Sequence, residues 1–269
     1  MAIMFLRVET IRRAAGRSVT AAAAYRSGAL IKDERTGQIF DYRKRQGVLA
    51  TGGAGWQGAQ ADLWNAAERA ERRKDAVVAR EVLVAIPHEL DAGQRQDLVQ
   101  DFGDWLHHRH GCAVDWAIHA PDPQGDARAF HAHILLTSRA VRQDGRFGAK
   151  LTQFDRKPAS RIVMEELRRV WSEQAMAALR LAGRPARLDH RSYRRQAAGT
   201  GAEPLLPQLR LGPAATQAAR NGQTLDLMAE NARRRLANEA GFRLRQGLRQ
   251  ALWEALDHIA PQEQRQRVR

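Results

Sequence analysis

Cysteine is nearly missing from this chain: Cys112 is the single one in 269 residues, which excludes an internal disulfide framework and any zinc site built on thiolates. Long apolar runs are missing too, and without about eighteen consecutive apolar residues no membrane span is expected. The start, Met-Ala-Ile-Met-Phe-Leu-Arg-Val-Glu, turns charged too early for a secretory signal. A soluble cytoplasmic protein is therefore expected, with no membrane insertion. There is no Gly-x-x-x-x-Gly-Lys-Ser/Thr loop and no internal repeat, so neither a nucleotide-driven motor nor a solenoid is encoded. Acidic residues are scarce against basic ones, 30 against 44, and only five of the 44 are lysine.

What is present is a net charge of +14. An excess of that size favours polyanions through counterion release and long-range steering, and arginine suits phosphate oxygens better than a point charge does. Nucleic acid is the leading partner class. A GC-rich genome would explain arginine over lysine, but not the shortage of Asp and Glu.

The chain begins with a short strand over residues 2–9 and a basic, glycine-containing loop, Arg12-Arg13-Ala14-Ala15-Gly16-Arg17. Ser18 then caps a helix running to about Ala29, whose Ala21–Ala24 run has high helical propensity. Tyr25 sits on that helix among small neighbours. It either packs with its hydroxyl at the surface or is delivered to a site on a strand. A hairpin turns at Thr36-Gly37, and Gly47 to Gly58 is expected to be a mobile, glycine-rich loop. Helix follows over Gln60–Arg73, then a strand from Val77 to Pro87. Glu81 is the odd carboxylate of that strand, lying on a solvated face or beside a metal site. Asp91 caps a helix to His110, whose terminal histidines 107, 108 and 110 are expected at the surface, meeting the negative end of the helix dipole.

The chemistry concentrates between residues 112 and 138. Side chains alternate along a strand, so His131 and His133 share one face while Phe130, Ala132, Ile134 and Leu136 share the other. By itself a His-x-His pair is either a metal site or two satisfied histidines. A hairpin through the Pro/Asp/Gly-rich loop at 121–128 would bring His119, at the end of the strand Cys112–His119, beside the pair. That gives three imidazoles with coordination positions left open. Asp115, on the face of His119, is either a hydrogen-bond acceptor for one imidazole or an exposed aspartate. After a turn at Gln143–Arg146, a basic stretch (Arg146, Lys150, Arg156, Lys157) could track a phosphate backbone. A long helix from Pro158 to Ala182 ends at Gly183 and Pro185. From Arg184 onward 16 Arg face 8 Asp and Glu, and Leu248, Leu252 and Leu256 recur at helical spacing.

Taken together, these pieces resemble the MobA/MobL family of conjugative relaxases, of the MobQ class, within the HUH endonucleases. The resemblance spans residues 1–235 and rests on an ordered set of stretches. These are the start Met-Ala-Ile-Met-Phe, the helix ending Ala-Ala-Ala-Tyr25-Arg26, Arg80-Glu81-Val-Leu-Val-Ala-Ile-Pro87, Ile118-His119 with His131-Ala132-His133, Leu188-Asp-His-Arg-Ser-Tyr193 and Leu211-Gly-Pro213. The interval from His119 to His131 is longer than the family pattern. The resemblance implies an α+β fold, a central mainly antiparallel sheet flanked by helices, with a helical C-terminal segment. Residues 1–210 would form the nicking domain and 211–269 a basic helical segment, leading to a further domain if the protein is longer.

The resemblance also implies Tyr25 as nucleophile, Glu81 as an assisting acid, His119, His131 and His133 as ligands of Mn2+ or Mg2+, and Arg12, Arg13, Arg17, Arg26 and Lys150 as DNA contacts. The implied substrate is single-stranded DNA at a plasmid transfer origin, nicked and rejoined through a 5'-phosphotyrosine linkage. Accessory relaxosome proteins and a coupling protein of the secretion channel are the implied partners, and the protein would enter the recipient cell attached to DNA. Rolling-circle initiators and transposases with related chemistry carry the tyrosine after the histidine pair, so an upstream Tyr25 favours a relaxase over them. A non-catalytic basic DNA-binding protein with a structural metal site, and a nuclease using water, are the remaining alternatives.

Overall fold

The structure is a computed structural model describing residues 4–184, 188–200, 203–209 and 211–266. It contains β1 (Leu6–Arg12), α1 (Val19–Ser27), β2 (Leu30–Lys32), β3 (Ile39–Asp41), β4 (Val48–Ala54), α2 (Gln60–Ala70) and β5 (Val77–Ala85). These are followed by α3 (Ala92–His110), β6 (Cys112–His119), β7 (His131–Val141), β8 (Phe147–Lys150), α4 (Ala159–Leu181), α5 (Tyr193–Ala197), α6 (Pro213–Arg220) and α7 (Asp226–Gln266). Ala2 and Ile3 of the first expected strand, Pro185, Arg187, and the side chains of Leu252 and Leu256 lie outside the described residues.

Five strands form an antiparallel path in the order β1-β5-β7-β6-β4, with β8 pairing the far end of β7. This is the expected α+β arrangement. The pleat alternates apolar side chains between two buried faces. On one face Val82, Val84, Trp116, Ile134 and Leu136 meet Leu98, Phe102 and Leu106 of α3 and Leu167 and Trp171 of α4. On the other Ile11, Ala79, Ala113 and Leu135 meet Val19, Ala23 and Ala24 of α1 and Leu63, Trp64 and Ala67 of α2. Because both faces are covered, a polar side chain inside the sheet stands out as one that has a partner or a task.

The helix starts follow the capping chemistry of the sequence. Ser18 accepts from the Ala21 amide, and Asp91 forms a reciprocal capping box with Gln94; each cap contributes about 1 kcal/mol. Gly28 closes α1 at φ 67°, a left-handed value that favours glycine. The hairpin β2–β3 turns at Thr36-Gly37 as expected.

Two expectations are corrected. The stretch 47–58 is not simply a loop: residues Val48–Ala54 pair with β6 as β4. Gly52 and Gly103 lie against the Trp116 indole, and a Cβ on Gly52 would run into that ring. Gly52 and Gly53, which look like loop signals in the sequence, are there for close approach. His110 is buried rather than exposed, edge-on to Trp105 and Phe154. Burial first, and then the charge of Arg109, push its pKa down to about 4.

The chain divides into two compact units, Met1–His190 and Arg191–Arg269. In the first, Ser172 Oγ donates to the Leu188 carbonyl, and Leu188 is buried. In the second, the side-chain amide of Asn231 in α7 bonds both the amide and carbonyl of Leu209, and Asn238 does the same for Leu206. The stretch 203–209 is thus tied to α7, within the unit that begins at Arg191. Among the described residues no helix is long and apolar enough to cross a membrane.

Candidate metal and nucleophile site

The β6–β7 register pairs His119 directly with His131 and Ala117 with His133, so the intervening loop, whatever its length, leaves the three imidazoles on adjacent strands and one face. One ring nitrogen from each of His119, His131 and His133 lies within 4.8 Å of the others. The ring centroids are 4.7 to 5.3 Å apart.

Each imidazole is held by an acceptor, which fixes where its proton sits. His133 Nδ1 donates to Glu81 Oε1 at 2.5 Å, and His131 Nδ1 donates to the Ala129 carbonyl at 3.0 Å. Both rings therefore keep the lone pair on Nε2. His119 donates from Nε2 to the Arg26 carbonyl at 2.6 Å. Burial is the leading cause that lowers the pKa of His119, to about 4, and also lowers that of His131. Neutral rings and outer hydrogen bonds of this kind are what a metal-binding imidazole needs.

Glu81 lies on β5 diagonally across from His133, whose direct partner is Leu83. Its side chain is nearly inaccessible, and it accepts a bidentate pair from Arg26, Nε to Oε1 at 2.7 Å and Nη2 to Oε2 at 2.9 Å. Burial alone would raise its pKa, but the hydrogen bonds from His133 and Arg26, with the Arg26 charge, hold it down to about 2. A carboxylate so engaged is a poor proton acceptor and a good strut.

Tyr25 is on the last turn of α1, immediately before Arg26, and is 42% exposed. Its ring stands edge-on to Tyr42 with centroids 5.2 Å apart, and the Arg45 guanidinium lies 3.8 Å from its centroid. Arg45 also donates to the Tyr25 carbonyl. No hydrogen bond of the Tyr25 hydroxyl is found among the described residues.

The remaining expected site residues are dispersed. Arg26 points inward to Glu81. Arg17, about a third exposed, lies 3.8 Å from Glu81 and 3.7 Å from Glu9. Arg12 is exposed, with Nε on Thr10. Arg13 is not brought to the site; it grips Glu68 and the carbonyls of Glu68, Glu71 and Arg73. Lys150 bonds Glu71 and the Val77 carbonyl. Asp115 faces α2, accepting from Gln60 and Trp64, and meets no imidazole among the described residues. Sequence reasoning missed Tyr42 and Arg45, which reach the nucleophile candidate only through the β2–β3 hairpin and carry no local signal.

Residues 17–221 match the MobA/MobL family. The mobilization protein MobL of Acidithiobacillus ferridurans is 40% identical over 243 residues, covering 80% of this chain and 63% of that protein. The conjugal transfer protein TraA of Agrobacterium fabrum is 30% identical over 272 residues, 89% of this chain and 24% of that one. The chain thus spans less than two thirds of the first relative and about a quarter of the second. A solved structure from work on the molecular basis of vancomycin resistance transfer in Staphylococcus aureus superposes with a TM-score of 0.61 at 25% identity. It covers 71% of this chain and all of that one.

Proposed function

The chain belongs to the MobA/MobL family, and from that premise we propose that it nicks and rejoins single-stranded DNA at a plasmid transfer origin, with Tyr25 as the nucleophile. The observation that carries the proposal is the bond from His119 to the Arg26 carbonyl, which ties the residue that follows an exposed tyrosine to a three-histidine cluster. The unit Met1–His190 holds all of these groups. The relatives named for mobilization and conjugal transfer support DNA transfer as the setting; relaxosome proteins and a secretion-channel coupling protein are the partners proposed for it.

The donor set fits a divalent ion: three imidazoles, each oriented by an outer acceptor, with no fourth protein ligand in the cluster among the described residues. Nitrogen donors favour Mn2+ over Mg2+. Bound by His119, His131 and His133, such an ion would supply charge neutralisation at a phosphate oxygen and polarise phosphorus. The protein's own residues do the rest. Glu81 keeps the His133 proton on Nδ1 and anchors Arg26, while Arg45 and Tyr42 bracket the Tyr25 ring. The Tyr25 oxygen bonds phosphorus as the bond to the 3' oxygen breaks; the phenolic proton leaves to solvent and the released 3' oxygen takes one up. One phosphodiester replaces another, so the step is near balance and reverses without nucleotide hydrolysis.

The test is incubation with Mn2+ and a single-stranded oligonucleotide spanning the cognate origin, read as a protein–DNA adduct on a denaturing gel. An adduct with the native chain and none with Tyr25→Phe is expected. Cleavage without an adduct would assign the site to a nuclease using water, and binding without cleavage to a structural metal centre.

A further inference from the structure

A second feature lies at the opposite end of α1 from Tyr25. An open cleft of about 500 Å³ runs between the α1 start, the β2–β3 turn and the segment after α2, and its lining includes Arg17, Arg35, Arg72, Lys74, Phe40 and Asp33. Arg72 and Lys74 are exposed and form no ion pair among the described residues. Arg35 is exposed with only a 3.4 Å approach to Glu68. The acids nearby are already engaged. Asp33 is buried and accepts from Ser18, Thr20 and the Thr36 amide, and Glu68 is clasped by Arg13 at 2.6 Å. The cleft therefore presents cations to solvent with no exposed carboxylate in its lining to offset them.

We infer that this cleft binds phosphodiesters of the same DNA strand, one or two nucleotides along from the bond that Tyr25 attacks. Arg17 supplies the continuity: it lines the cleft and also reaches to 3.8 Å of Glu81, the carboxylate that orients His133. A strand leaving the three-histidine cluster along Arg17 would meet Arg35, Arg72 and Lys74 next. The half-buried Phe40 ring offers a face on which a base can stack, as single-strand grooves do. The volume suits a nucleotide or two, since pockets of roughly 300 to 1,000 Å³ hold molecules of that size. The inference rests on the proposed function for the identity of the strand, but not for the existence of the cleft.

The experiment is fluorescence anisotropy of the origin oligonucleotide on Tyr25→Phe protein, which binds without reacting, over a series of salt concentrations. The triple variant Arg35→Ala, Arg72→Ala, Lys74→Ala changes exposed side chains only. It is expected to weaken binding about tenfold to a hundredfold at roughly 0.1 M salt and to make the log–log salt slope shallower by about 2, the release expected for three single-strand phosphate contacts. A control triple variant on α4, Arg161→Ala, Arg169→Ala, Arg180→Ala, removes equal charge on the other face of the sheet and is expected to change binding by less than about threefold. Matching thermal melts establish that all variants are folded. Equal losses in both triples would reduce the effect to general charge and overturn the inference, as would an unchanged slope in the cleft variant. Competition by micromolar thymidine monophosphate as strong as that of the oligonucleotide would mark a mononucleotide pocket and overturn it too. Adduct formation is scored separately in the Tyr25 chain. Loss of the adduct with intact cleft-dependent binding would sink the nicking proposal alone, and the reverse pattern would sink the cleft alone.

Discussion

The Nε2 of His119 lies 2.6 Å from the carbonyl oxygen of Arg26, so one corner of the histidine cluster is tied to the backbone of the residue that follows Tyr25. The side chain of Arg26 turns the same way and grips Glu81, which in turn holds His133. Helix α1 is thereby fastened to two of the three imidazoles through a single residue, by its main chain to one and by its side chain to the other. Any shift of α1 moves the phenol and the cluster together.

Arg26→Ala would leave Glu81 in place without its two-pronged partner, with His133 and the more distant Arg17 remaining. Breaking one side of a buried pair leaves an uncompensated charge, and a loss of about 3 kcal/mol in unfolding free energy is expected from urea denaturation. Arg26→Lys should recover only part of it, because an ammonium cannot reproduce the two-pronged contact. Binding of Mn2+ by calorimetry should weaken by roughly tenfold to a hundredfold in Glu81→Ala, the usual effect of removing an acceptor behind a ligating histidine. Unchanged metal affinity in that variant would mean that Glu81 serves stability alone.

Much of this was legible beforehand, for physical reasons. A period of two places His131 and His133 on one face without any knowledge of neighbours, and a turn-rich loop between two apolar strands makes His119 their partner. Helix starts at Ser18 and Asp91 are local chemistry. What failed to show was long-range. Arg26 belongs to the basic surplus by composition, yet its partner Glu81 is 55 positions away. Arg13 and Lys150 are likewise drawn into Glu68 and Glu71. Gly52 signals a loop until the Trp116 ring that needs the space is known, and Gly53 until the Val114 carbonyl beside it is.

That space makes a sharp prediction at Gly52. The backbone there already lies within contact range of the Trp116 indole, whose Nε1 donates to Gln100 on α3. Gly52→Ala must push the ring or the strand aside, and overpacking of this kind costs about 1–3 kcal/mol. A lower melting temperature and a shifted tryptophan emission are expected. Gly37→Ala makes no such clash, since nothing lies within 4 Å of its Cβ position. Its backbone is at φ 75°, so a smaller loss from strain is expected there.

His110 gives the fold a pH dependence separate from the candidate site. Its pKa is about 4 against an ordinary 6.5, lowered by burial and by Arg109 and partly offset by Glu166. The unfolded chain takes up this proton first as pH falls, so the stability contributed by the neutral ring is complete above about pH 6.5. It is lost progressively down to about pH 4. Urea unfolding at pH 7 and pH 4.5 should differ by less in His110→Leu than in the native chain, by about 2 to 3 kcal/mol. Equal pH dependence in the two proteins would place the titration elsewhere.

Metal binding should be visible in stability before any reaction is assayed. An ion that binds only the folded chain stabilises it by about 2.7 kcal/mol when its free concentration is a hundredfold above the dissociation constant. Mn2+ is expected to raise the melting temperature of the native chain and EDTA to reverse the change, with Mg2+ giving a smaller rise. His133→Ala and His131→Ala should each abolish the response, because two imidazoles hold a divalent ion far more weakly than three. The reading depends most on His119, whose Nε2 proton already has an acceptor in the Arg26 carbonyl. If His119→Ala keeps the full Mn2+ response, the site is a two-histidine one, and His119 acts as the clamp on α1 instead of as a ligand. In that case His119→Ala should still slow adduct formation by Tyr25, since the helix that presents the phenol would have lost its main-chain tie to β6.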